Sequence, residues 1–444
     1  MNTPVCDFVR AYAEGEPVRM HMPGHKGRAL IGPEALDLTE IEGADVLYRA
    51  RGIIRESEEN AARLFGAART VYSAEGSSLC IRAMLYLALL TAKEKSLPAR
   101  LLAGRNAHRT LMTAAALLDV EIDWLMPGED LLSCGVTAEE LEDRLSSGAY
   151  MAVYLTSPDY LGRRADIRGA AGVCRRYGVP LLVDNAHGAY LRFLPESGHP
   201  LALGADACCD SAHKTLSCLT GAAYLHLSEG APEGWAARAE QAMSLFASTS
   251  PSWLILQSLD RMNAELAGDY PEWICRAADR TADLKRILAA DGWNLVGDEP
   301  MKLTLNAAER GYTGEELQEI LRRAGTGCEF ADRRYLVLMP SAETAEKDWN
   351  RLLSALREIP RKEPLKEKAP ALPGPEKVTP IRLAMLSPQE TLPVEKAVGR
   401  ILADACVSCP PAVPAVIAGE RITEEAAACM AYYGVTECNV IKSV

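Results

Sequence analysis

The sequence predicts an α/β fold built around a large, mostly parallel sheet. Two observations carry this prediction: short, almost continuously apolar segments recur along the chain, and helical patterns separate several of them. Strands that are apolar on both faces are typical of a parallel sheet covered by helices on both sides. The main strands are predicted at residues 100–103, 121–125, 152–156, 180–184, 207–209 and 222–227.

The elements before and between these strands have their own local signals. A helix is predicted at residues 56–65, where Gly66 ends it, and a short strand at 70–73 follows. The run Gly76-Ser77-Ser78 begins a long helix that extends to about residue 95. Further helices are predicted at residues 138–145 and 168–177.

Composition divides the chain of 444 residues into five predicted segments. Gly/Pro-rich pieces mark the start of the chain, and a Pro/Lys-rich run precedes its last segment. A second set of strands (300–305, 335–339) and helices (313–324, 345–358) predicts a separate small domain. The segments are an N-terminal arm (1–55), a large domain (56–295), a small α/β domain (296–358), a linker (359–380) and a C-terminal module (381–444).

Charge and composition exclude several classes of function. The net charge of −12 argues against nucleic acid as a partner. The N-terminus lacks the pattern of a signal peptide, and no uncharged apolar run reaches the length of a membrane span, so a cytoplasmic protein with no membrane partner is predicted. The 13 cysteines are scattered, and the Cys406–Cys409 spacing lacks a second ligand pair, so no metal site is predicted.

The strongest chemical signal is a lysine that follows Asp184 by thirty residues. Asp184 ends one apolar run, and a second apolar run leads into Ser211-Ala212-His213-Lys214. Pyridoxal phosphate (PLP) requires such a pair, because a lysine amine forms the Schiff base and a carboxylate keeps the pyridine nitrogen protonated. Taken singly, Lys214 and Asp184 are also compatible with an ordinary surface lysine and a turn residue.

Other residues indicate a pocket for the rest of this cofactor. Gly76, Ser77 and Ser78 precede a helix, where free N–H groups and hydroxyls suit a phosphate, although a simple N-cap is the alternative. Ser211 and His213, which flank Lys214, favour the phosphate site.

Four further residues follow predicted strands and are candidates to contact the cofactor or substrate. His108 is predicted to stack on the cofactor ring or to be a hydrogen-bonded loop histidine. Ala186 is small enough for a ring to lie against its methyl group. His187 either bonds a substrate carboxylate or orients Asp184, and Ser157 either bonds the phenolic oxygen of PLP or belongs to a plain turn.

Taken together, these motifs resemble the Orn/Lys/Arg decarboxylase family over nearly the whole chain. The resemblance rests on Pro23-Gly24-His25-Lys26-Gly27, Gly52-Ile53-Ile54, Ala61-Ala62-Arg63-Leu64-Phe65-Gly66-Ala67, Glu75-Gly76-Ser77-Ser78, Asn106-Ala107-His108, Asp184-Asn185-Ala186-His187-Gly188, Ser211-Ala212-His213-Lys214-Thr215-Leu216, Pro410-Pro411 and Gly419-Glu420-Arg421.

The resemblance implies the PLP-dependent transferase fold of type I, with a large sheet of the seven-stranded type, a smaller C-terminal α/β domain, and a homodimer or higher homo-oligomer. It implies that Lys214 is the Schiff-base lysine, Asp184 the partner of the pyridine nitrogen and His108 the stacking residue. The expected reaction is decarboxylation of a basic amino acid, with arginine slightly favoured over lysine or ornithine. His213 or Lys214 would return a proton to Cα.

The chain departs from the family pattern at three positions near the expected site. Glu75 replaces a common Asn, Asp210 a common Gln and Ala212 a common Thr. Together with Glu420, the two acidic residues are candidates to bind a cationic substrate side chain. The rival hypotheses are another type I reaction, such as transamination with Arg333 or Arg334 gripping the carboxylate, or a non-catalytic PLP-binding paralogue.

Overall fold

The computed structural model describes residues 1–127, 133–367, 370–372, 374–409 and 413–443, with the side chains of residues 408 and 409 left out. Pro410-Pro411 of the C-terminal motif, and the side chain of Cys409, lie outside this description. The α-helices of the described residues are α1 (Pro4–Glu14), α2 (Ile53–Phe65), α3 (Ser77–Glu94), α4 (Arg109–Leu118), α5 (Ala138–Ser147), α6 (Ile167–Tyr177), α7 (Pro200–Leu203), α8 (Ala212–Thr215), α9 (Trp235–Ser244), α10 (Trp253–Leu266), α11 (Tyr270–Ala290), α12 (Gly314–Arg323), α13 (Glu346–Arg357), α14 (Ile381–Leu386) and α15 (Glu424–Tyr432).

The strands between residues 69 and 227, and those at 303–306 and 335–338, lie close to the positions that the apolar runs predict, whereas the other strands were not predicted. They are β1 (Arg69–Ser73), β2 (Arg100–Gly104), β3 (Glu121–Leu125), β4 (Ala152–Thr156), β5 (Leu181–Asp184), β6 (Ala207–Asp210), β7 (Ala223–Leu227), β8 (Leu295–Val296), β9 (Leu303–Asn306), β10 (Phe330–Ala331), β11 (Tyr335–Leu338), β12 (Gln389–Pro393), β13 (Cys406–Cys409), β14 (Val413–Ile417) and β15 (Glu437–Ile441).

The large sheet has the strand order β1-β7-β6-β5-β4-β2-β3 in the described part of the chain. Strands β4, β5 and β6 run parallel to one another, as do β2 and β3, whereas β7 is antiparallel to both β6 and β1. The predicted α/β fold with a large, mostly parallel sheet is therefore confirmed.

Residue contacts divide the chain into two compact units. The first comprises Met1–Ala99, Ala138–Ser157 and Asp166–Ile274, and the second comprises Arg100–Thr137, Pro158–Ala165 and Cys275–Val444. The predicted boundaries of the arm, domains and linker remain a prediction. Among the described residues, none of the helices combines the length and the apolar character needed to cross a bilayer.

The first unit includes a helix that sequence analysis did not predict. Helix α1 packs against α2 and α10, and its Val5 and Val9 side chains are fully buried. The backbone N–H of Cys6 donates to the Asp260 carboxylate at 2.9 Å, which fixes the helix further. The first part of the N-terminal segment is therefore bound into the core of this unit.

The second unit contains a small sheet in the order β10-β11-β9-β8, with a core of its own. The C-terminal segment adds the pairs β12-β15 and β13-β14 around another buried cluster. A buried ion pair joins this segment to the end of β2, where the Arg105 guanidinium donates two hydrogen bonds to the Glu420 carboxylate, at 2.6 and 2.7 Å.

Candidate active site

Asp184 lies at the carboxyl end of β5, where the Tyr154 hydroxyl, the Ala186 N–H and, at 3.6 Å, the Cys209 thiol donate to its buried carboxylate. The Tyr154 hydroxyl donates to Oδ2 at 3.1 Å and the Ala186 N–H donates to Oδ1 at 3.1 Å. Burial, reinforced by the Asp184 carboxylate, raises the pKa of Tyr154 well above its usual value, so that the phenol keeps the proton it donates. The geometry thus presents a carboxylate in a fixed orientation at the edge of the sheet.

Lys214 lies at the corresponding end of the neighbouring strand. Helix α8 follows β6 directly, and β6 is parallel to β5, so both strands end at the same edge of the sheet. The Lys214 Nζ lies 3.1 Å from Nε2 of His187, and the lysine side chain is exposed. The structure brings His187 and Lys214 together within the first unit, and Asp184 ends the neighbouring strand at the same edge of the sheet.

Two predicted phosphate ligands meet beside this lysine. The Ser211 hydroxyl donates to the Ser77 hydroxyl at 2.8 Å, which connects the turn after β6 to the first turn of α3. Gly76 is the N-cap of α3, offers no side chain to cap it, and has a φ of 71° that favours glycine. No atom lies within 4 Å of where a Cβ on Gly76 would stand. There is therefore open space beside Gly76 at the start of this 18-residue helix, where the positive end of the helix dipole lies.

The remaining predicted residues occupy defined positions. His213 has its Nδ1 2.9 Å from the Ala222 carbonyl oxygen, so Nδ1–H donates and Nε2 is the acceptor in the neutral ring. The Ser157 N–H donates to the Asp184 carbonyl at 3.0 Å, which places Ser157 beside the end of β5. Ser78 lies in the first turn of α3.

His108 belongs to the second unit, where it forms the N-cap of α4. Its Nδ1 accepts a hydrogen bond from the Thr110 N–H at 3.3 Å and lies 2.9 Å from the Thr110 hydroxyl. The side chain is exposed. Its role as the stacking residue remains a prediction.

The acidic candidates for substrate binding already have partners inside the protein. Asp210 is fully buried and accepts hydrogen bonds from His199 and Asn185, while Glu420 is bonded to Arg105. These contacts argue against a substrate-binding role for Asp210 and Glu420, because a buried carboxylate that is already paired cannot also face a ligand. Glu75 is exposed and accepts the Ser248 N–H at 2.7 Å through one oxygen, which leaves its other oxygen as the better candidate.

The arginines proposed for a transaminase also have internal partners. Arg333 forms an ion pair with the Glu367 carboxylate at 2.9 Å, and Arg334 donates to the Glu367 carbonyl at 3.0 Å. Their guanidinium groups therefore bind a neighbouring loop of the second unit.

Sequence reasoning missed two residues that orient the predicted site. Tyr154 lies in the predicted strand at 152–156, but only the observed β4–β5 pairing shows that its hydroxyl reaches Asp184. Asn185 stands within a recognised motif, yet its bond to Asp210 depends on the pairing of β5 with β6. Knowledge of the strand order would have been needed to find either residue.

Comparison with known families gives two matches along the chain. Residues 3–286 match the model of the Orn/Lys/Arg decarboxylase major domain, and residues 381–440 match that of the Orn/Lys/Arg decarboxylase C-terminal domain. Among curated relatives, an arginine decarboxylase of Halalkalibacterium halodurans is 32% identical over 95% of this chain and 91% of its own length. An arginine decarboxylase of Bacillus subtilis is 30% identical over 95% of this chain and 92% of its own.

The fold also matches solved structures. The constitutive lysine decarboxylase of E. coli superposes with a TM-score of 0.79 at 18% sequence identity, covering 99% of this chain and 82% of that one. At this level of identity the likeness concerns the fold, which extends over nearly all of the chain.

Proposed function

We propose that arginine is the substrate of this chain, which belongs to the Orn/Lys/Arg decarboxylase family. The chain is a decarboxylase of basic amino acids and has the type I fold of PLP-dependent enzymes. The observation that supports the proposed activity is the position of Asp184 and Lys214 at the ends of two adjacent parallel strands, in a chain similar over 95% of its length to arginine decarboxylases.

The residues at this edge of the sheet fit PLP as the cofactor. When bound, PLP withdraws electrons from the substrate Cα and so allows CO2 to leave. The uncapped start of α3, open above Gly76, offers N–H groups to a phosphate dianion. We assign the phosphate end to Gly76, Ser77, Ser78 and Ser211, with His213 adjacent.

The other end of the proposed pocket places a carboxylate where the pyridine nitrogen would need one. Asp184 is held by Tyr154 and Ala186, so it would bind a protonated ring nitrogen without reorienting. Ala186 would leave room for the ring, and Ser157 would bond its phenolic oxygen.

The contact between the Lys214 amine and the His187 ring suggests a role for each residue in covalent binding and proton transfer. The exposed Lys214 amine would hold the cofactor covalently before substrate arrives, and the neighbouring His187 ring would accept or return its proton. After loss of CO2, the freed Lys214 or His213 would deliver a proton to Cα.

A comparison of arginine with citrulline tests the substrate assignment, because citrulline has nearly the same shape but no charge. We expect kcat/KM for arginine to exceed that for citrulline by at least about 1000-fold, since a carboxylate that binds a guanidinium rejects a neutral analogue strongly. Lysine and ornithine should rank between the two. The measurements are CO2 release and chromatographic detection of the amine. Faster turnover of citrulline or of an acidic amino acid than of every basic one would exclude this assignment.

We further propose that the enzyme is a homodimer and that the second part of the N-terminal segment forms part of the interface. Unlike α1, this part exposes a row of large apolar side chains, each between 70% and 89% exposed. Such a row on one segment indicates a surface that another protein covers. The residues are Val18, Met20, Met22, Leu30 and Ile31.

Charge placed on this row should separate the subunits without disturbing α1. We expect the double variant Val18→Asp/Ile31→Asp to sediment as a monomer and to lose at least about 90% of its activity, because two desolvated carboxylates are costly in an apolar interface. Leu386→Asp is the matched control, since Leu386 on α14 is also exposed, at 66%. A wild-type protein that sediments as a fully active monomer would contradict the dimer.

A further inference from the structure

A fully buried polar cluster lies directly behind the proposed cofactor site. Asp210 at the end of β6, His226 on β7 and His199 at the N-cap of α7 all have no exposed surface. Cys208 and His226 are paired across β6 and β7, and Asp210 lies two residues further along β6, so these three side chains share one face of the sheet.

The Asp210 carboxylate is the centre of this cluster. Its Oδ2 accepts from His199 Nε2 at 2.9 Å and lies 3.4 Å from His226 Nε2, and its Oδ1 accepts from the Asn185 amide at 2.7 Å. Burial by itself would raise the pKa of Asp210, but the two histidines lower it below its usual value. The group is therefore a buried anion with three nitrogen groups around it.

The Asn185 bond connects the two strand ends that form the site. Asn185 stands between Asp184 and Ala186, and its backbone N–H donates to the Cys209 carbonyl at 3.0 Å. On the other side, Asp210 precedes the turn in which the Lys214 N–H bonds the Ser211 carbonyl at 3.0 Å. One side-chain bond thus fixes the Asp184 segment against the Lys214 segment.

We propose that Asp210 is a positioning residue that acts through Asn185 to hold Asp184 and Lys214 in the relative position that binds PLP. The inference rests on the proposed function and extends it to a residue that touches neither cofactor nor substrate. Asp210 stands where a neutral residue is common in the family, and its carboxylate is surrounded by the Asn185 amide and the two buried histidine rings.

A metal site is the competing interpretation of His199, Cys208 and Asp210, whose ligand atoms lie within 4.8 Å of one another. Two ligands about 2.0–2.2 Å from a tetrahedral zinc ion stand roughly 3.3–3.6 Å apart. The 2.9 Å between His199 Nε2 and Asp210 Oδ2 is instead the length of a hydrogen bond. Stoichiometric metal in the purified protein would overturn the positioning role.

The test compares Asp210→Ala with a matched aspartate that immediately precedes the same strand. Asp206 precedes β6 and accepts the Leu181 N–H at 2.8 Å, so it links the same two strands at their opposite ends. We expect Asp210→Ala to weaken the affinity of the apoenzyme for PLP at least about tenfold, since a hydrogen bond to a charged group is lost. Asp206→Ala should lower the melting temperature and leave the affinity for PLP within about twofold, because the bond that it loses does not reach the site.

Two further variants test whether the bond to Asn185 is the cause. Asp210→Asn keeps an oxygen for Asn185, so it should restore most of the lost affinity, whereas Asn185→Ala should reproduce the loss. The double variant Asp210→Ala/Asn185→Ala should bind PLP no more weakly than the weaker-binding of the two single variants. Equal losses in Asp210→Asn and Asp210→Ala, or unchanged affinity in Asn185→Ala, would overturn the inference. Wild-type protein that binds PLP without releasing CO2 would contradict only the proposed function. The positioning role of Asp210 would still be tested by the affinities of the variants for PLP.

Discussion

Lys214→Ala is expected to lose the covalent bond to the cofactor completely and to release CO2 at least about 1000-fold more slowly than the wild type. The physical reason is that Lys214 presents an exposed amine beside Nε2 of His187, at 3.1 Å. Removing an activated nucleophile from a set of groups that act together costs a large part of the rate acceleration. Borohydride reduction followed by peptide mapping measures the bond, and release of CO2 from arginine measures the rate.

Lys95→Ala is the matched control for this experiment. Lys95 is an exposed lysine of the same unit and lies at the opposite end of α3 from Ser77. Its replacement should leave both the pyridoxyl label and the rate unchanged. If reduction of the wild-type protein labels any lysine other than Lys214, the assignment of the covalent role fails.

The large sheet could be predicted because its strands are continuous apolar runs. The run at residues 180–184 became β5, and the run at 207–209 became β6, with shifts of one residue at the ends. The Gly76-Ser77-Ser78 turn likewise predicted the start of α3, because the preference for small and capping residues at a helix start depends only on neighbouring residues. Strand ends and helix starts depend on residues that are close in the sequence, so they can be predicted from the sequence alone.

Contacts between residues far apart in the sequence could not be predicted from such local patterns. Glu420 seemed available to a cationic substrate, but it binds Arg105, which lies 315 positions earlier. The segment containing α1 lacks a long apolar pattern, and Val5 and Val9 are buried only because α2 and α10 pack against them. Partners at this distance are set by the tertiary fold, and a pattern along the chain cannot identify them.

Asp184→Asn should lower the turnover number at least about 1000-fold, while the affinity for PLP should fall by no more than about tenfold. An asparagine of the same size still accepts one hydrogen bond, but it has no charge to keep a pyridine nitrogen protonated, and a neutral ring is a poor electron acceptor. The phosphate end of the pocket at Ser77 and Ser211 would remain intact. Turnover is measured with PLP at saturation, so that loss of cofactor cannot account for the result.

Tyr154→Phe separates the charge of Asp184 from its orientation. The variant removes the 3.1 Å bond from the Tyr154 hydroxyl but keeps the carboxylate and its second bond from Ala186. We expect turnover to fall by about tenfold or less, since the loss is one hydrogen bond to a charged group. Near-normal turnover in PLP-saturated Asp184→Asn would show that the carboxylate is not the partner of the ring nitrogen. If Tyr154→Phe proved as damaging as Asp184→Asn, orientation rather than charge would be the main contribution of Asp184.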